Sequence, residues 1–186
     1  MSGPARCKLL RWLLAGAALM GALVIVGLGA TTIHAQVSRK AGTGTVTHEF
    51  RGRLDNSFTT TAPPPLLTLA DSGSGKATVL GKVTDSFTVT IDFNHPVANG
   101  FVLVTKSGSL FTADGDRVDL AMVGTFNVNT LDGHYVFVVT GGTGRFAGAT
   151  GNGTYHVPPP AVFDPATGSG SGVELFQGTI TLPDQD

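Results

Sequence analysis

The sequence predicts an all-β fold: one closed antiparallel barrel of eight strands, with a two-sheet β-sandwich as the alternative. Three observations lead there. Beyond residue 36, Gly, Thr, Val and Phe dominate, and no stretch sets Leu, Glu or Lys at helical spacing. Short runs alternate apolar and polar residues with a period of two, each bounded by Gly, Asn, Asp or Pro. Eight or nine such runs in meander order favour closure, because a closed barrel leaves no unpaired strand edge.

In chain order, TVTHEFR (45–51) sets Val46, His48 and Phe50 on one face, and ATVLGKV (77–83) follows. SFTVTIDF (86–93) places Phe87, Val89, Ile91 and Phe93 opposite Ser86, Thr88, Thr90 and Asp92. GFVLVTK (100–106) and SLFTA (109–113) read as two further strands. DRVDLAMVGTFNV (116–128) puts Val118, Leu120, Met122, Phe126 and Val128 on one face, opposite Arg117, Asp119, Thr125 and Asn127. HYVFVVTG (134–141) is apolar on both faces, which predicts a strand covered on both sides and hints at a homodimer or homotrimer contact. GNGTYHV (151–157) and GVELFQGTITL (172–182) complete the set. Residues 52–76 and 158–171, rich in Pro, Gly and Ser, read as mobile surface loops.

The first 36 residues have another character. Arg6, Lys8 and Arg11 precede an uncharged apolar run from Trp12 to Ile33, and Ile33-His34-Ala35 offers a small-residue cleavage site before Gln36. That is the layout of a secretory signal, and the run is also long enough to serve as a retained N-terminal anchor. Both readings expect residues 37–186 to form one exported domain, secreted or held in the cell envelope. The only cysteine, Cys7, lies in this leader, so the remainder has neither disulfide nor thiol chemistry. Setting aside the three basic residues of the leader leaves 9 Lys and Arg against 13 Asp and Glu, a net charge of −4. That balance, with no basic cluster, argues against nucleic acid and against anionic membrane surfaces as partners.

VVTGGTGRFAGATG (138–151) spells something close to a nucleotide-binding loop. Such a loop needs a helix whose N-terminus faces the phosphate. Here glycines at 148, 151 and 153 and prolines from 158 forbid one, since each interior Gly costs roughly 1 kcal/mol and Pro about 3. Ala147 also stands where the fingerprint needs its last glycine. No cofactor is expected. Gly141, Gly142 and Gly144 instead predict a tight corner, with Phe146 dropping into the barrel end as a plug and Arg145 meeting carbonyls or a carboxylate. DSGSGK (71–76) fails the phosphate-loop pattern because Ala70 holds the place of its first glycine.

The stretch from GSLFTADGDRVDLAMVGTFN to HYVFVVTGGTGRFAGATGNGTYHV resembles the second half of allene oxide cyclase-like and dirigent-like barrels. Those families carry a G-G-T-G-x-F-x-x-A-x-G corner, matched here by Gly141, Gly142, Thr143, Gly144, Phe146, Ala149 and Gly151. The resemblance spans roughly residues 80–182 and implies an eight-stranded calycin-type barrel. It also implies, as one reading, a cofactor-independent cyclase or isomerase steering a reactive apolar substrate. None of the families' reactive residues maps onto this chain one by one.

If the apolar parity faces the lumen, His48, Tyr135 and Tyr155 are the polar groups expected to line it, around a small apolar molecule. The five histidines show no metal-ligand spacing, and no metal is expected. Asp114 and Asp116 resemble half a calcium loop, which an Asp-Gly hairpin explains more cheaply. Two functions remain open: an exported barrel that binds a small apolar ligand or packs as an envelope module, and the cyclase or isomerase. Cavity size separates them from a filled barrel. A lumen packed solid by Phe87, Phe126 and Phe137 rules out both, and a cavity of about 300 Å³ or more holding His48 and a tyrosine supports them.

Overall fold

The structure is a computed structural model, and it describes residues 44–184. The leader and its cleavage site lie outside the described residues. Nine strands form: β1 (Thr45–Ala62), β2 (Leu66–Ala77), β3 (Gly81–Asp92), β4 (Phe101–Thr112), β5 (Arg117–Asn127), β6 (Asp132–Gly142), β7 (Thr150–Val157), β8 (Val162–Asp164) and β9 (Ser169–Pro183). Each of β1 to β6 pairs antiparallel with the next, β7 pairs with β9, and β9 returns to β1. Eight strands therefore close a ring, as the alternation predicts. β8 lies outside it, paired only with the start of β9.

Strand parity explains the core. In β3, Val83, Asp85, Phe87, Val89 and Ile91 are buried while the residues between them face out. The same rule buries Val118, Leu120 and Met122 in β5, and Tyr135, Phe137 and Val139 in β6. Val136 and Val138 stand outside, 56% and 49% exposed, beside Val123 at 52%. Within one chain, β6 is thus covered on its inner face only.

Four expectations need correction. Residues 52–76 are not a loop; they form the long arm of β1 and all of β2, reversed by a short turn through the prolines at 63–65. The Ser/Gly run of β2 alternates like any strand, and its glycines face inward where neighbouring side chains need the room. A Cβ on Gly73 would stand 2.1 Å from Asn56 Oδ1. Residues 100–106 and 109–113 are one strand, β4, because Gly108 sits against Phe87 without interrupting the ladder. Residues 77–83 are not one strand: 77 ends β2, 78–80 turn the chain and 81–83 open β3, while 158–171 contain β8 and the first residues of β9.

The two ends of the barrel differ. At the end where β1 begins, the predicted corner takes shape. Gly144–Phe146 makes one 3-10 turn, with Phe146 fully buried beside Ala149. Gly144 has a positive φ of 58°, and a Cβ there would strike the Asp116 carboxylate. Arg145 Nε donates to Asp116 Oδ2 at 2.9 Å, which pulls the Asp116 pKa below its ordinary value. Asp116 is therefore a partner of the corner, and Gly115, with φ of 87°, turns the Asp-Gly hairpin. Behind the corner Phe137 meets Phe50 and Phe176 edge to face, and Phe50 and Phe176 pack tilted on each other, with centroids 4.9 to 6.3 Å apart. The opposite end, ringed by the β1–β2, β3–β4, β5–β6 and β7–β9 connections, is open.

Candidate functional site

The open end leads into a cavity of about 230 Å³. Its walls are apolar: Leu69 of β2, Val89 and Ile91 of β3, Phe126 of β5, and Val162 and Phe163 of β8. Phe58 and Phe163 stack at its lip with centroids 6.2 Å apart. Its polar groups are Asp71, Lys106, Tyr135 and Glu174, at the inner end. The cavity is smaller than the about 300 Å³ expected of a ligand-binding lumen and holds Tyr135 without His48, yet it exceeds the ~150 Å³ apolar cavity that accepts benzene.

That inner end is a charged cluster on the barrel axis. Lys106 Nζ, contributed by β4, donates to Asp71 Oδ2 at 2.5 Å and to Glu174 Oε1 and Oε2 at 2.6 and 2.7 Å. It also lies 4.5 Å above the Phe87 ring and 4.8 Å above that of Tyr155, so aromatic faces complete its shell. The Tyr155 hydroxyl donates to Glu174 Oε2. Asn56 Nδ2 approaches Asp71 Oδ1, Asp85 Oδ2 and Glu174 Oε2 at 3.0, 2.7 and 3.0 Å.

Three carboxyl groups thus share one lysine, a net charge of −2 if all are ionised. An amide NH2 donates two hydrogens and accepts none, so of the three carboxyl oxygens around Asn56 Nδ2 at most two are served, which leaves one carboxyl short of a donor and favours its neutral form. The electrostatics agree. Burial pushes the Glu174 carboxyl up to about 7, against the opposing pull of Lys106. Burial likewise raises Asp85. Burial alone would lower the Lys106 ammonium, but the Glu174 and Asp71 carboxylates outweigh it and hold it above its ordinary value. Tyr135 and Tyr155 are both pushed up by burial and then by Glu174, so they stay neutral donors. Asp71, Asp85 and Glu174 converge closely enough to hold a cation. Lys106 already bridges two of them and serves as that cation.

Of the residues expected to line the lumen, Tyr135 lines the cavity and Tyr155 is buried beneath it on Glu174. His48 does not reach it. Its parity matches Phe50, but it lies at the rim of the plugged end and is exposed. Phe87 and Phe137 fill the inner part of the barrel, whereas Phe126 leaves the cavity open beside it. The sequence reasoning missed Asn56, Asp71, Asp85, Lys106 and Glu174. The signal was present: each holds an inward place in its strand, Lys106 after Val102 and Val104, Glu174 before Phe176 and Ile180.

Fold and site together define an eight-stranded antiparallel barrel with one plugged end, one open apolar end and a buried proton-bearing cluster between them. No family model and no curated protein sequence matches the chain. Among solved structures, a pterocarpan synthase dirigent protein aligns with 75% of this chain and 88% of its own, at 10% identity and a TM-score of 0.47.

Proposed function

We propose that the open end of the barrel takes up a small, largely apolar molecule and orients it by one polar group against Asp71, Lys106 and Glu174. One observation carries this reading: a 230 Å³ apolar cavity whose only charged lining is that cluster. Apolar walls supply affinity, and a few convergent polar groups supply orientation. The cluster also favours a reaction. A carboxyl with a pKa of about 7 at the base of an apolar cavity is suited to give or take a proton at neutral pH. The Lys106 ammonium beside it would stabilise negative charge developing on the substrate. The resemblance of the G-G-T-G-R-F corner to cyclase-like and dirigent-like barrels supports the same substrate-steering role. We further place the barrel outside the cytoplasm, on the strength of the leader, and propose that the exposed Val123, Val136 and Val138 meet a second copy.

The test is native mass spectrometry and fluorescence titration with an environment-sensitive apolar dye on the full chain. A bound dye or co-purified small molecule should be lost in Ala161→Trp, which fills the cavity mouth without touching the core. Retention of dye binding in that variant would place the ligand elsewhere and overturn the proposal.

A further inference from the structure

Outside the barrel wall, the β6–β7 register brings together three residues that the sequence keeps apart. His134 pairs directly with His156, and their rings stack with centroids 4.3 Å apart and planes 14° from parallel. Asp132 stands two residues before His134 on the same outer face. Its Oδ2 is 3.1 Å from His134 Nε2, and its Oδ1 is 2.8 Å from His156 Nε2. We propose that Asp132, His134 and His156 form a binding site for a divalent transition-metal ion such as Zn2+.

Two neutral imidazoles and one carboxylate suit Zn2+, Cu2+ and Ni2+ rather than Mg2+ or Ca2+. In a tetrahedral zinc centre with bonds of about 2.0–2.1 Å, neighbouring donor atoms stand about 3.3 Å apart. The two carboxylate–imidazole separations, one to each Asp132 oxygen, are shorter than that figure, so the side chains must part by up to about half an ångström to admit an ion. One ligand atom from each of the three residues lies within 4.8 Å of the others. Both Nε2 atoms already aim at one carboxylate, so the ion replaces two shared protons without moving the backbone. The side chains are 60% and 38% exposed, which leaves the rings free to rotate and leaves a fourth position to water. The shallow groove beside the two histidines is also lined by the polar residues Thr125, Thr154 and Gln177.

The site has a mechanical meaning. The next register pair, Tyr135 with Tyr155, points into the barrel, where Tyr135 lines the cavity and Tyr155 holds Glu174. An ion here would fasten β6 to β7 on the outside of the wall that carries those tyrosines.

Isothermal titration of Zn2+ into the full chain, produced without a histidine tag, tests this directly. We expect one ion per chain with micromolar affinity. Binding should weaken at least about tenfold in His156→Gln and in Asp132→Asn. Saturating Zn2+ should raise Tm by several degrees in the parent chain and not in His156→Gln. The other histidine–aspartate pair, His95 with Asp92, is the control, and His95→Gln should bind as the parent does. Absence of binding up to millimolar Zn2+, unchanged affinity in His156→Gln, or loss in His95→Gln would each overturn the site. Neither variant touches the barrel interior, so both should fold.

Discussion

The two ends of the barrel are built from the same alternating strands and do opposite things. At the end where the chain enters, Phe50, Phe137 and Phe176 interlock, and the Gly144–Phe146 turn adds the buried Phe146 ring to the same core. At the other end the inward positions are Leu67, Ile91, Phe126 and Val157, which stand back from the axis and leave a cavity. The boundary between the halves is Lys106 and its carboxyl partners. The plugged half contributes packing, and the open half gives up packing for access. Stability and ligand binding should therefore respond to different residues.

The widest gap between the halves is expected from one substitution in each. Phe50→Ala, in the plug, should destabilise the fold by about 3–5 kcal/mol, because a closely packed ring neighbourhood collapses poorly around a void. Phe163→Ser, at the open lip, should change stability by no more than about 0.5 kcal/mol yet alter dye binding. Urea denaturation and dye titration on both variants decide this, and equal destabilisation would erase the distinction. At the boundary, Lys106→Met removes the only buried cation among the described residues and should cost roughly 3 kcal/mol at pH 8. The loss should shrink toward pH 5, where the orphaned carboxyls take up protons. A loss independent of pH would mean that Lys106 matters through packing alone.

A smaller effect should appear in the parent chain. Glu174 holds its proton up to about pH 7 in the folded state and, like an ordinary glutamate, releases it near 4.5 when unfolded. Between those values the folded state binds more protons than the unfolded one, so stability falls as pH rises through the window and levels off above it. The total is on the order of 3 kcal/mol, and Asp85 acts in the same direction. Urea midpoints at pH 5, 6, 7 and 8 follow this directly. A flat profile would show that the folded state keeps Glu174 ionised throughout.

Much of the barrel was legible in the sequence because its signal is local. Period-two alternation assigned β5 and β6 within a residue or two and the second half of β3, and the glycines of the 141–144 corner announced a turn. The long arm of β1 and all of β2 were hidden because Thr, Ser and Gly there look like linker composition. Only their pairing with neighbours reveals that Asp71 and Gly73 face inward. The cluster was hidden for a related reason. A lone lysine or glutamate on an apolar parity reads as an exception to the strand, and five such exceptions become a site only when the ring closes and brings them to one point. The metal-ligating trio follows the same logic: His134 and His156 are 22 residues apart in sequence and adjacent through register.

The closure of β9 on β1 has a consequence for how the molecule comes into being. Every other pairing in the ring except β7 with β9 joins consecutive strands, yet the seam joins Thr45 to Pro183 and continues to Thr59 with Ser169. Its partners cannot meet until the last strand has been made, so an emerging chain must carry an open, curled sheet with its apolar face bare. Once the seam zips, the Asp184 amide donates to the Gly44 carbonyl at 2.8 Å, and the beginning and end of the barrel lie side by side. The ring then has no first strand in any physical sense. Its start is a fact of synthesis, and a chain joined there and opened at the Asp-Gly hairpin of 113–116 would describe the same barrel.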